Sequence, residues 1–160
     1  MGRFIRDHFS LLEHQQEMAR GLVRRRRAIL IDSVGNGKTM ECLYSYAFLR
    51  SREAVDVALV LTPKNAYDKK VWEVDAQKHT HLKCISFDEV VKKMDMGYSV
   101  QDIASRYDVV YAKHTHCKTA YDHLRRWYTC KELRILTILD EVHGFRNPKA
   151  GHFRRFFQDR

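Results

Sequence analysis

The sequence predicts an α/β fold in which a mainly parallel sheet is flanked by helices. Three observations predict it. Short apolar runs alternate with helical patterns, most of these runs are apolar at every position, and the polar residues that can carry chemistry fall directly after them. A strand covered on both faces reads as a continuous apolar run, because each face needs its own hydrophobic cover. In such sheets ligands bind beyond the carboxyl ends of the strands.

The elements follow in order. LLEHQQEMARGLV, 11–23, spaces its apolar residues as a helix does. AILI, 28–31, is a short strand that stops at a glycine-rich turn, and TMECLYSYAFLR, 39–50, is the helix after it. VDVALVLT, 55–62, is a buried strand ending at Pro63, and NAYDKKVWEVDAQK, 65–78, follows as one helix. LKCIS (82–86), YDVVYA (107–112) and LRILTILD (133–140) are further strands, with AYDHLRRWYTCKEL, 120–133, among the helices between them. There is no internal repeat, low-complexity tract or linker, so the 160 residues read as one domain.

Composition narrows the function. At 44% hydrophobic residues the chain can build a core. No apolar run approaches the ~20 residues a membrane helix needs, and the N-terminus lacks a signal peptide's apolar stretch. The expectation is an intracellular protein, in cytoplasm or nucleus, with no membrane partner. Cys42, Cys84, Cys117 and Cys130 form no C-x-x-C pair, so reduced, packed thiols are expected. Lys and Arg outnumber Asp and Glu by 29 to 20, a net charge of +9 that points to a polyanion without distinguishing DNA, RNA or an anionic membrane.

IDSVGNGKT, 31–39, ends as a phosphate-binding loop does, although Asp32 stands where the general pattern opens with glycine. Such a loop needs inward backbone N–H groups, a lysine and a helix start aimed at the anion. Gly35 and Gly37 permit the turn, Lys38 can reach the terminal phosphates, and Thr39 can offer its hydroxyl to Mg2+. ILDEVH, 138–143, delivers two adjacent carboxylates to a strand's carboxyl end. Asp140 suits the Mg2+-positioning role and Glu141 the orientation or deprotonation of an attacking water.

A D-E-x-H box after an apolar strand, downstream of GKT, resembles the DEAH-like signature of superfamily 2 helicases. The nearer resemblance is to the Swi/Snf-type helicase-like ATPases, whose phosphate loop commonly reads A-D-x-x-G-x-G-K-T. On that reading Asp32 is a family variant. LLEHQQEMARGL resembles the family's L-R-P-Y-Q segment, which makes Gln15 the adenine-reading glutamine, with His14 where an aromatic is usual. LVLTPKNAYDKKVWEVDA, YDVVYAKHT and LDEVHGFRNPKAGHFRRF match further family segments, with Pro63, Lys64, Trp72 and Asn147 in register. The resemblance runs from about Leu11 to Phe156. Val142 and Asn36 depart from the family's usual alanine and leucine.

The resemblance implies a RecA-like P-loop ATPase lobe of a DNA-dependent translocase or helicase. ATP would lie on Gln15, Ser33, Val34, Gly35, Asn36, Gly37, Lys38 and Thr39, and Mg2+ on Thr39 and Asp140. Lys38, Glu141 and His143 would serve catalysis, His143 by coupling the site to nucleic acid. Lys64 and Lys113 would contact DNA backbone, with Lys69, Lys70 and Lys118 extending the track. The family's T-G-T-P-like segment and second RecA-like lobe are not in the sequence. One lobe of a two-lobe motor is expected, weak or inactive alone, with the second lobe supplied in cis or in trans. An RNA helicase lobe, a restriction-enzyme motor lobe and a free-standing DNA- or protein-binding module remain open.

Three features have plainer readings. RRRR, 24–27, is read as a solvated helix end. HTH (79–81) and HTHCK (114–118) are read as surface or DNA-facing histidines, their donors being too tightly spaced for structural zinc. Trp72 and Trp127 are read as core.

Overall fold

The computed structural model describes residues 4–6, 10–24 and 37–141. The strand expected at 28–31 lies outside them, as do Arg25 to Arg27 and the segment from Val142 onward. The described elements are α1 (Glu13–Arg24), α2 (Lys38–Ser51), β1 (Val57–Thr62), α3 (Lys64–Asp68), α4 (Val71–His79), β2 (Cys84–Ser86), α5 (Phe87–Asp95), α6 (Val100–Ala104), β3 (Val109–Lys113), α7 (His116–Thr119), α8 (Tyr121–Thr129) and β4 (Ile135–Leu139).

The four described strands are all parallel, in the order β2-β3-β1-β4. β1 lies between β3 and β4 and is buried at every position, which explains its unbroken apolar sequence. Alternate residues feed two cores. Val57, Leu59, Leu61, Val110 and Ala112 pack with Phe87, Ile103, Leu124 and Trp127 on one face. Ala58, Val60, Val109 and Tyr111 pack with Ala19, Leu43, Tyr46, Trp72 and Ala76 on the other. The helices therefore cover both faces of the sheet.

The segment expected as one helix over 65–78 is two. α3 ends at Asp68, and Lys70 takes a left-handed backbone with φ 52° before α4 begins. The physical reason is in the side chains. Tyr67 and Trp72, five residues apart, would point about 140° apart on one continuous helix, yet both are buried in the same core. The break turns both inward. The expected 120–133 helix also stops at Thr129, where Cys130 is extended and the chain turns back toward β4.

At the amino ends of the strands, Arg134 locks β4 to β1. Its Nε and Nη2 donate to the two carboxylate oxygens of Asp56 at 3.0 and 2.8 Å, and its backbone N–H donates to Asp56 at 2.8 Å. The paired guanidinium holds the Asp56 carboxyl below its ordinary range. All four cysteines are thiols, with Cys117 fully buried. No described helix is long and apolar enough to cross a membrane.

Candidate functional site

The parallel sheet brings its carboxyl ends to one edge of the molecule. Thr62, Asp88, Lys113, His114, Asp140 and Glu141 all fall there, at or just after β1, β2, β3 and β4.

Asp140 is the first residue beyond β4, and its placement is held from three sides. Its N–H extends the sheet ladder by donating to Leu61 O at 2.8 Å. The Thr62 hydroxyl donates to Asp140 Oδ2 at 2.7 Å, and the Trp72 indole N–H reaches the same oxygen at 3.3 Å. Oδ1 accepts no hydrogen bond among the described residues. Trp72 is core as expected, at 2% exposure, and its polar edge also orients this carboxylate. Glu141 follows with an uncommon left-handed φ of 52° and stands exposed.

α2 starts just after Gly37, whose φ of 83° suits glycine. Among the described residues no side chain caps this helix start, and Met40 and Glu41 donate their N–H groups to Gly37 O at 2.8 and 3.2 Å. Lys38 and Thr39 form the opening turn. Gln15 on α1 lies against it: a Cβ on Gly37 would fall 2.5 Å from Gln15 Nε2. Gln15 Oε1 accepts the N–H of Leu12 at 3.1 Å, so the same side chain caps α1. Cys42, one turn into α2, has its thiol pushed up to about 12 by burial and then by the carboxylates of Asp140 and Glu41. Met40, Cys42 and Leu43 in the first turns of α2 share a core with Leu136 and Ile138 of β4.

These features fit a phosphate and a divalent cation. A helix start attracts anions, Gly37 has no room for a side chain, and Asp140 Oδ1 accepts no hydrogen bond among the described residues. Of the residues expected to bind nucleotide or act in catalysis, Ser33, Val34, Gly35, Asn36 and His143 lie outside the described residues. Gln15, Gly37, Lys38 and Thr39 gather at the start of α2, while Asp140 and Glu141 occupy the end of β4.

Lys64, Lys70 and Lys113, expected on nucleic acid, are already engaged. Lys64 is exposed and pairs with Asp68 one helical turn along. Lys113 Nζ lies 3.2 Å from Asp88 and 4.6 Å from the centre of the Tyr67 ring. Lys70 lies 3.7 Å from Glu73.

Two histidines read as surface residues are not. His116 is 4% exposed. Its Nδ1 accepts the Lys113 N–H at 3.2 Å and its Nε2 meets Asp88 at 3.1 Å, while Tyr67 donates to Asp88 at 2.8 Å. Burial lowers the His116 pKa against the pull of Asp88. Burial raises that of Asp88, but hydrogen bonds from Tyr67 and Lys113 outweigh it and the net shift is downward. His114 is half-buried and turns toward Asp140. Cys117 points into the core, so the donors of HTHCK diverge. The signal that could have found Asp88 and His114 was their place just after strand ends.

A family model described as the SNF2-related domain matches residues 14–157. Among solved structures, the chain is similar to the Sulfolobus solfataricus SWI2/SNF2 ATPase core in complex with dsDNA. The TM-score is 0.70 at 21% identity, over 92% of this chain and 29% of that one. At that identity the likeness shows the fold, and the chain spans under a third of the other's length. No curated protein matches.

Proposed function

The chain belongs to the SNF2-related domain family, and from that membership we propose that it is the ATP-binding lobe of a DNA-dependent ATPase. Its parallel sheet between helices is the RecA-like α/β lobe that the sequence resemblance implied. The observation that carries the proposal is the joining of two structures through one core: the Gly37–Lys38–Thr39 helix start and the strand that ends in the anchored Asp140 carboxylate.

The residue roles follow from chemistry. The α2 start and Lys38 hold the terminal phosphates, since N–H groups and an ammonium favour concentrated negative charge. Thr39 and Asp140 hold Mg2+, which when bound neutralises phosphate charge. Glu141, exposed beside Asp140, orients the attacking water. Gln15 stands against Gly37, where it contacts the nucleotide. DNA backbone lies along Lys64 and Lys113; the solved neighbour, itself complexed with dsDNA, supports this partner. A second RecA-like lobe completes the cleft and supplies an arginine whose loss costs on the order of 10³–10⁵ in rate.

Calorimetric titration with Mg-ATP tests the reading. Lys38→Ala weakens binding about tenfold to a hundredfold, the worth of a charge-assisted contact. Equal affinity in both proteins sinks the phosphate-site assignment. Turnover with and without DNA, before and after adding a second lobe in trans, then separates a motor lobe from a binding module without turnover.

A further inference from the structure

His114 closes a ring of hydrogen bonds around the acidic strand end. Its Nε2 lies 2.9 Å from Asp140 O and 3.2 Å from Leu61 O. Both partners are carbonyl oxygens, which only accept, so Nε2 carries the proton and donates to both. The His114 backbone N–H donates to Thr62 O at 3.0 Å, and the Thr62 hydroxyl donates to Asp140 Oδ2 at 2.7 Å. One residue just beyond β3 thus fixes the carbonyl of Asp140, and through Thr62 its carboxylate is fixed too.

The location gives this contact its consequence. Asp140 O is the first carbonyl past the end of β4, where the regular ladder stops. The next residue, Glu141, has the left-handed φ of 52°. Such a backbone persists only where its surroundings hold it. We propose that His114 is a positioning residue for the Asp140–Glu141 pair, setting the orientation in which Asp140 meets the nucleotide's Mg2+. This rests on the ATP-binding reading above. His114 directly follows Lys113, so the same strand end carries both a cation expected at DNA and the clamp on the acidic pair.

The test measures how much Mg2+ strengthens ATP binding. Calorimetry gives the affinity of the full chain for Mg-ATP and for ATP in EDTA, and the ratio of the two is compared among variants. His114→Phe removes the donor. His114→Gln places an amide nitrogen at the reach of Nε2, whereas His114→Asn reaches only as far as Nδ1. The ratio falls about tenfold in the Phe and Asn variants, as when a group orienting a metal ligand is lost, and returns to within about threefold of wild type with Gln. Affinity for Mg-free ATP stays unchanged. If Phe prevents folding, the Gln and Asn pair decides. Three results overturn the proposal: one ratio shared by all variants, both affinities weakening together as a merely structural defect requires, or Gln failing where Asn succeeds. A wild-type chain that binds no ATP removes the ATP-binding reading itself, and this inference with it.

Discussion

Thr62 donates its hydroxyl to Asp140 across 2.7 Å, joining the ends of two strands that are 78 residues apart in the chain. Thr62 is fully buried, so this hydroxyl has no water to turn to. Thr62→Val keeps the shape and deletes the donor. Asp140 retains Trp72 Nε1, and its partial exposure lets water take the vacated place. The expected loss of stability is about 1 kcal/mol, with Mg-ATP affinity reduced as the carboxylate loses its orientation. Thr62→Ser restores both. Denaturant melts and ATP titration check this, and a Val variant that binds Mg-ATP as wild type does would show the bond to be structural only.

Gly37 is constrained twice, by its φ of 83° and by Gln15 Nε2 above it. Gly37→Ala incurs roughly 1–2 kcal/mol for the left-handed backbone and displaces the Gln15 side chain. Nucleotide binding is expected to be lost or severely weakened. Adding Gln15→Ala removes the clash but leaves the backbone cost, so the double variant recovers only part of the affinity. Full recovery would mean that Gln15 alone dictates the glycine.

The sequence made the sheet legible because buried parallel strands have no other reading: VALVLT is apolar on both faces and is buried on both. GKT and the adjacent Asp140–Glu141 were legible because their chemistry depends on short spacing. What could not be read was long-range. Nothing near Trp72 in the sequence says that its indole edge meets Asp140, 68 residues on. The break at Lys70 carries no glycine or proline to mark it; the need to bury Tyr67 and Trp72 together decides it. His114 and His116 looked like solvated histidines because their partners come from other strand ends.

Asp56 gives the fold a pH dependence whose sign is fixed. The Arg134 guanidinium holds the folded carboxyl below its ordinary value, whereas the unfolded chain titrates near 3.9. A depressed folded pKa stabilises at pH above the unfolded value, and the contribution is lost as pH falls through the folded value. Asp56→Asn should therefore lower the melting temperature by a few degrees at pH 7, with the gap to wild type closing below about pH 4. Thermal melts from pH 7 to pH 2 check this; a gap that ignores pH would show that the pair acts by shape and not by charge.

Lys113 is shared between Asp88, at 3.2 Å, and the Tyr67 ring, so a phosphate must compete with a carboxylate for it. Asp88→Asn keeps one acceptor oxygen, enough for Tyr67 or His116 but not both, while removing the competing charge. DNA binding should tighten a few-fold in that variant, most visibly at low salt, where surface electrostatics are least screened. Lys113→Ala and Lys64→Ala should weaken all sequences alike, each flattening the salt dependence by roughly one unit if it meets one phosphate. Salt-series fluorescence anisotropy with two unrelated duplexes measures both effects. Neutralising Arg24 to Arg27 is the control. If that abolishes binding while Lys64→Ala and Lys113→Ala do nothing, DNA does not lie at the carboxyl ends of β1 and β3. A binding module that uses its basic helix end would then replace the motor lobe as the better reading.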